Sequence, residues 1–304
     1  TKVSTILQKI FLALLLPPLL TLAIPEQDSP GTSVKDRMDS WQTHQKMIRE
    51  SSFSRLKWIS LGPSFQGGRV ESIQAVPGTA TIYAGFGSGS LWKTVNNGLT
   101  WEPIFEHQPT FAIGDLAVSQ SHPDTLYLGT GESLLARSSF AGIGVFKSRD
   151  GGESWAHMGL EDTHHIGRIV IHPQNPDVVY AAALGHEYTL NEERGLFRTR
   201  DGGDTWQKIL YISEKIGIAD VAIDPAEPDI IYASSLEHGR KPWNSYESNA
   251  ALFKSTNGGD TWARLTGGFP AGPEIGRIAL AVAPSDPRIV YAFLTNNNQV
   301  EGKK

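Results

Sequence analysis

The residues with the most regular spacing are acids and amides set in short turns. Four segments superimpose: Thr94-Val95-Asn96-Asn97-Gly98-Leu99-Thr100-Trp101, Ser148-Arg149-Asp150-Gly151-Gly152-Glu153-Ser154-Trp155, Thr199-Arg200-Asp201-Gly202-Gly203-Asp204-Thr205-Trp206 and Ser255-Thr256-Asn257-Gly258-Gly259-Asp260-Thr261-Trp262. They share the pattern Ser/Thr-x-Asp/Asn-x-Gly-x-Ser/Thr-Trp and recur every ~50–57 residues. Asp150 and Asp201 have the look of catalytic carboxylates, but their setting assigns them to structure. An Asp or Asn at a turn accepts hydrogen bonds from the turn's own N–H groups, Gly takes the positive-φ position, and the closing indole offers an apolar face to a neighbouring sheet. Asn96, Asp150, Asp201 and Asn257, with Trp101, Trp155, Trp206 and Trp262, are therefore read as hairpin staples.

A second set of charges lies between these segments. Gly68-Arg69-Val70, Gly114-Asp115-Leu116, Gly167-Arg168-Ile169, Ala219-Asp220-Val221 and Gly276-Arg277-Ile278 open five β-prone runs, and the middle residue alternates Arg, Asp, Arg, Asp, Arg. One reading is a structural ring of ion pairs. The other is a polar funnel whose arginines grip a carboxylate, a sulfate or sugar hydroxyls. Long polar connections follow, Glu132 to Gly142, Gly185 to Arg194 and Glu237 to Asn249, against a short Gly85-Phe86-Gly87-Ser88-Gly89. They carry Glu132, Arg137, His186, Glu187, Glu192, Glu193, Arg194, His238, Arg240, Trp243 and Tyr246, and an earlier loop adds His164-His165. Recognition usually sits on such loops. Adjacent residues on a strand point to opposite sides, so His164-His165 is not read as a metal pair, and neither a metal nor a cofactor is assigned. Nucleophile-elbow, phosphate-loop and zinc-helix motifs do not occur.

The elements that position these residues repeat as well. Ile82-Tyr83-Ala84, Leu126-Tyr127-Leu128, Val179-Tyr180-Ala181, Ile231-Tyr232-Ala233 and Val290-Tyr291-Ala292 are β-prone runs with a central Tyr. A Pro-bearing turn precedes each, at Pro77, Pro123, Pro173, Pro225 and Pro284. Each unit reads as strand A, Pro turn, strand B with Tyr, loop, strand C, acidic turn, strand D. Four strands repeated radially make a propeller blade. The expected fold is all-β, a β-propeller of four-stranded antiparallel blades. Four blades are complete, and a fifth begins at Arg277 and stops after strand B. A propeller closes or leaves an open edge, so the set reads as incomplete.

Composition agrees with many short strands. Among 304 residues there are 31 Gly, 18 Pro and 8 Trp, with 39% hydrophobic residues. The net charge of −5 carries no basic footprint for nucleic acid. The absence of Cys excludes disulfides and thiolate metal sites. At the N-terminus, Lys2 and Lys9 precede an apolar run from Ile10 to Leu16, and Thr21 and Ala23 suit a cleavage site. Residues 1–24 are read as a signal peptide, 25–57 as an N-terminal extension with a short helix from Val34 to Glu50, and 58–304 as the partial propeller. Met38, Trp41 and Met47 fall loosely on one side of that helix. The expected location is secreted, periplasmic or extracellular.

The four segments, most clearly Gly195-Leu196-Phe197-Arg198-Thr199-Arg200-Asp201-Gly202-Gly203-Asp204-Thr205-Trp206, resemble the BNR/Asp-box superfamily. It includes sortilin-type receptors, sialidases, xyloglucanase-like glycoside hydrolases and photosystem assembly factors. Gly67-Gly68-Arg69-Val70, Leu91-Trp92-Lys93-Thr94, Gly129-Thr130-Gly131-Glu132 and His165-Ile166-Gly167-Arg168-Ile169 are similar to large secreted bacterial proteins with sortilin-like propellers, often labelled glycosyl hydrolases. The resemblance implies Asp-box turns and is specific for fold. Xyloglucanase-like relatives place a catalytic Asp after strand B of the first blade, and the nearest position here is Gly87. Sialidases need an arginine triad, which Arg69, Arg168 and Arg277 suggest, and an Arg-Ile-Pro motif, which this sequence lacks. Sortilin-type receptors carry a cysteine-rich module, for which there is no Cys. The chain is thus read as a secreted scaffold binding a peptide, protein or glycan. The alternative is part of a glycoside hydrolase with an incomplete catalytic set.

Overall fold

The computed structural model describes residues 32–56, 68–135, 139–241, 244–270, 272 and 274–298. The expected signal peptide, the flanks of the expected extension, and the loop residues Arg137 and Trp243 lie outside the described residues. Among the described residues, no helix is long and apolar enough to cross a membrane.

Helix α1 (Val34–Glu50) starts where Ser33 Oγ accepts the Asp36 N–H, and it carries an acid in its first turn and Arg49 in its last. Arg37 docks it by donating to the Gly142 and Glu161 carbonyls, at 3.0 and 3.1 Å. Met38 packs on the core beneath. Trp41 instead stacks on His44, and Met47 is exposed, so the expected three-residue apolar side reduces to Met38.

The strands form four larger antiparallel sheets and a hairpin, consistent with propeller blades. The first holds β1 (Val70–Ala75), β2 (Ile82–Phe86), β3 (Ser90–Thr94) and β4 (Glu102–Pro103). The second holds β5 (Ile113–Val118), β6 (Leu126–Thr130), β7 (Val145–Ser148) and β8 (Ala156–His157). The third holds β9 (Ile166–Ile171), β10 (Val179–Ala183), β11 (Gly195–Thr199) and β12 (Gln207–Leu210). The fourth holds β13 (Ile216–Ile223), β14 (Ile231–Lys241), β16 (Leu252–Ser255) and β17 (Ala263–Leu265), with β15 (Asn244–Ser248) paired to β14. The hairpin is β18 (Ile275–Val282) with β19 (Val290–Asn296). The connection from Glu237 to Asn249, expected as a loop, is therefore mostly a strand extension. Glu237 to Lys241 pairs with Ser248 to Asn244, which carries β14 past the end of its pairing with β13.

The first strands of successive sheets lie side by side, β1 on β5, β5 on β9, β9 on β13 and β13 on β18. Each apolar core fills the space between two successive sheets. Tyr83, Leu91, Ile113 and Phe146 join the first two, and Tyr127, Ile166, Ile169 and Phe197 the next pair. The shared Tyr does more than fill space. Tyr83 Oη donates to the Gly151 carbonyl of the following sheet, Tyr127 to Gly202 and Tyr180 to Gly258, at 3.0–3.1 Å. A basic residue of the third strand shares each acceptor: Lys93 at 2.9 Å, Lys147 at 2.9 Å and Arg198 at 2.6 Å. A cation and a phenol from one sheet thus grip the turn of the next. Tyr291, with no described sheet beyond it, is exposed.

The four repeated turns share one hydrogen-bond plan. Asp150 Oδ1 accepts the Ser154 N–H at 2.9 Å and the Ser148 hydroxyl at 2.8 Å, while Ser148 Oγ accepts the Gly152 N–H. Asp201 repeats this with Thr205, Thr199 and Gly203. In the amide versions, Asn96 Nδ2 donates to Thr100 Oγ1 and Asn257 Nδ2 to Thr261 Oγ1, where the Asp versions accept from the hydroxyl instead. These hydroxyl and N–H donors hold the Asp150 and Asp201 carboxyls down at about 2. A carboxyl lowered on folding stabilises above its unfolded value near 3.8, and that stability is lost as pH falls toward 2. The double substitution Asp150→Asn/Asp201→Asn is expected to fold normally and to flatten the acid side of the stability curve between about pH 4 and 2. Urea denaturation across that range checks it; an unchanged slope would remove the carboxylates from this role.

Candidate functional site

Pairing to the shared Tyr sets a common register for the first strands. Gln74, Ala117, Val170, Ala222 and Ala281 face Tyr83, Tyr127, Tyr180, Tyr232 and Tyr291. Two residues earlier stand Ser72, Asp115, Arg168, Asp220 and Ala279. Only Asp115, Arg168 and Asp220 of the alternating set share this position, which corrects the expected five-membered ring. Bulges fall between Val70 and Ser72, Ile113 and Asp115, Ile218 and Asp220, and Ile275 and Ile278. In β1 and β18 the Gly-Arg pair lies farther from the Tyr, so Arg69 and Arg277 sit beyond the shared position.

At that position each sheet ties the next. Ser72 Oγ accepts the Leu116 N–H at 3.3 Å, Asp115 Oδ2 the Ile169 N–H at 2.9 Å, and Asp220 Oδ2 the Leu280 N–H at 2.8 Å. Arg168 cannot accept and instead bridges its neighbours, Nε lying 3.8 Å from Asp115 and 3.4 Å from Asp220. Burial pushes both carboxyls up, while the Arg168 charge and the backbone donors pull them down. The Arg168 side chain is 44% exposed, at a small cavity of about 220 Å³ that also touches Gln74 and Ile223.

Beyond the ties, the loops of this end converge. Gly131, at φ +90°, turns the chain against the His164 carbonyl, where a side chain would collide. That turn sends Glu132 inward, fully buried, to pair with Arg69 Nε. Glu132 packs on Gly87, so the place beside Gly87 that lacks its own carboxylate is occupied by one from the following sheet. The Ser133 hydroxyl donates to Glu71 Oε2 at 2.6 Å. Burial, then the Glu132 charge, push the Glu71 carboxyl up against that bond. His165 Nδ1 lies 2.9 Å from the Glu132 carbonyl, and burial pushes the imidazole down to about 4, leaving it neutral.

In the third sheet Arg194 donates to Asn191 Oδ1 and to the Lys215, His186 and Thr189 carbonyls, which makes it a loop staple. Lys208 donates to the Glu192 carbonyl and pairs with the Glu193 carboxylate at 3.8 Å. Glu187 is buried, with His238 Nε2 and Arg240 Nε each 3.9 Å from its Oε1. Among the described residues, neither Glu187 oxygen and neither His238 nitrogen has a hydrogen-bond partner. His238 also lines a cavity of about 630 Å³ with Leu135, Tyr246, Glu247 and Asn297. Glu247 there pairs with Arg277 at 3.3 Å.

His164 is not on a strand. It follows a 3-10 turn (Glu161–Thr163) at φ +54°, before β9 begins. Its ring stacks on His186 with centroids 3.6 Å apart, so its partner is His186 rather than His165. The Nε2 atoms of His164 and His186 lie 3.8 and 3.4 Å from Asp162 Oδ1. Burial, with the other imidazole and Arg37 adding, pushes His164 down to about 2. Both histidines stand out in the sequence, whereas Asp162 carries no signal there because its role depends on the turn.

A family model described as sortilin, neurotensin receptor 3 (Sortilin-Vps10) matches residues 144–271. A xyloglucanase of Paenibacillus sp. is 30% identical over 268 residues, covering 76% of this chain and 23% of that protein. Xyloglucanase Xgh74A of Acetivibrio thermocellus is 23% identical over 219 residues, 61% of this chain and 24% of that protein. An ancestral GH74 enzyme is similar in structure, with a TM-score of 0.59 at 19% identity over 76% of this chain and 30% of that one. The chain spans about a quarter of the length of these curated relatives.

Proposed function

Taking a chain of the BNR-type propeller superfamily as the premise, we propose that its loop-bearing end recognises carbohydrate as part of a glycoside-hydrolase-related propeller. The four full sheets are its blades, β18 and β19 begin a fifth, and the repeated turns are Asp-box turns. The observation that carries the reading is the cavity beside His238. A sugar hydroxyl both donates and accepts, as the Glu247 carboxylate and the Asn297 amide on the cavity wall require. Tyr246, 44% exposed, offers a ring face to a pyranose, and the other wall is partly apolar through Leu135. The names of the relatives favour a glucan over a peptide.

The test is calorimetric titration of the chain with xyloglucan oligosaccharides, and with a charged peptide for comparison. His238→Ala and Tyr246→Ala are each expected to weaken oligosaccharide binding at least tenfold, about 1.4 kcal/mol. Binding that survives both substitutions, or preference for the peptide, would overturn the assignment.

One observation favours hydrolysis by the longer protein as a second reading. Glu71, with its carboxyl raised by burial and then by the charge of Glu132, has the character of a general acid. Its partner carboxylate, Glu132, is engaged by Arg69, which favours binding as the role of this chain by itself.

A further inference from the structure

The stacked histidines lie apart from the proposed sugar cavity and present a different chemistry. Asp162, His164 and His186 each bring a ligand atom within 4.8 Å of the others, and both Nε2 atoms approach Asp162 Oδ1. All three are lone-pair donors when the neutral imidazoles carry their proton on Nδ1, and among the described residues neither Nε2 has a hydrogen-bond partner or solvent contact. The three side chains are partly buried, and acceptors gathered this closely repel one another unless a proton or a cation sits between them. We propose that these three atoms form a binding site for a divalent transition-metal ion, with zinc the best fit.

Geometry supports the choice. Zinc bound at ~2.0–2.1 Å in a tetrahedron separates its ligand atoms by roughly 3.3 Å. The two His–Asp separations, 3.4 and 3.8 Å, need to contract by at most a few tenths of an ångström, and the stacked rings must splay from their 23° interplanar angle for both Nε2 lone pairs to meet one ion. The outer contacts are those of a metal-binding His. His186 Nδ1 lies 2.7 Å from Thr189 Oγ1, a hydrogen bond that directs Nε2 inward. The Asp162 carbonyl accepts from Asn191 Nδ2 at 3.0 Å, which holds the turn to the loop that carries His186. Arg37 Nη2, 3.5 Å from Asp162 Oδ1, is a competing cation. Its bonds to the Gly142 and Glu161 carbonyls hold it there whether or not Asp162 turns to a metal. Two imidazoles and a carboxylate leave a fourth position for water or another ligand. The ion would fasten the loop before β9, whose Glu161 carbonyl Arg37 of α1 holds, to the loop after β10.

The chain is stripped with chelator, titrated with Zn²⁺ and assayed by metal analysis, melting temperature and the visible absorption of bound Co²⁺. One Zn²⁺ per chain is expected, with a melting temperature that climbs with log[Zn²⁺] and a four-coordinate Co²⁺ spectrum. His186→Ala and Asp162→Asn should each weaken Zn²⁺ binding at least 100-fold while leaving the metal-free circular dichroism unchanged. Arg37→Gln, which removes the competing cation, should tighten it severalfold. Absence of a stoichiometric ion, or a Co²⁺ spectrum retained in both His186→Ala and Asp162→Asn, would overturn the site. If His186→Ala does not fold, Asp162→Asn and the Co²⁺ spectrum of the unmodified chain still decide.

Discussion

Trp155→Ala is expected to lower the unfolding free energy by about 3 kcal/mol, whereas Trp101→Ala should cost about 1 kcal/mol or less. The two indoles close the same sequence pattern, so the difference comes from what lies beneath them. Trp155 reaches back to the preceding sheet. Its Nε1 donates to the Ile104 carbonyl at 3.0 Å, and its ring meets Phe105 edge-on at 5.3 Å. Phe105 in turn meets Phe146 at 5.0 Å, inside the core shared by the first two sheets. Truncation removes an apolar body, an aromatic contact and a hydrogen bond to a backbone carbonyl. Trp206 repeats the arrangement through Met158, with its Nε1 donating at 2.7 Å. Trp101 has no described sheet before it and is 38% exposed. Urea denaturation of Trp101→Ala, Trp155→Ala and Trp206→Ala checks the order; equal losses at positions 101 and 155 would refute the role of the preceding sheet.

At Asp115, removal of the carboxylate is expected to cost about 3 kcal/mol in Asp115→Ala, but no more than about 1 kcal/mol in Asp115→Asn. The alanine leaves the Ile169 N–H without its acceptor in a fully buried place. Arg168 suffers less, being half-exposed and still beside Asp220. Asparagine retains the acceptor and gives up only the charge, which burial already disfavours. The sign with pH follows from that direction. A carboxyl raised on folding binds its proton more tightly in the native state, so stability falls as pH rises from about 3.8 through the folded value. Asp115→Asn should lose this fall, the reverse of the acid loss expected from Asp150 and Asp201. Denaturation midpoints of the three proteins across pH 4–7 separate the outcomes. An asparagine variant as unstable as the alanine would mean that the ion pair with Arg168, and not the tie to Ile169, holds the sheets together.

Much of the architecture was legible because its causes are local. Asp150, Ser148 and Ser154 lie within seven residues and bond one another, so their spacing alone announces the turn. The β-prone run of Val179 to Ala183 and the turn at Pro173 likewise announce strands with short-range chemistry. The Lys or Arg before each repeated turn was visible as a letter but not as a partner. Lys147 finds the Gly202 carbonyl 55 residues away only because the sheets stack. The apparent ring of five charges shows the opposite risk, since matching Gly-Arg to Gly-Asp by eye ignores where a bulge falls. Strand register, which the Tyr pairing reveals, kept Asp115, Arg168 and Asp220 and excluded Arg69 and Arg277.

By itself, the order of residues determined the repeating unit: four strands, a tyrosine, a proline turn and a capped acidic or amide turn under an indole. Each rests on backbone preferences and contacts among near neighbours, which a chain carries wherever it folds. Only the tertiary structure decided which charges meet. Glu132 reaches Arg69 across 63 residues, and His186 stacks on His164 through two loops of unequal length. Such pairings depend on the packing of separate sheets and on single positive-φ turns such as Gly131, where a small change of direction relocates a side chain by a whole strand spacing.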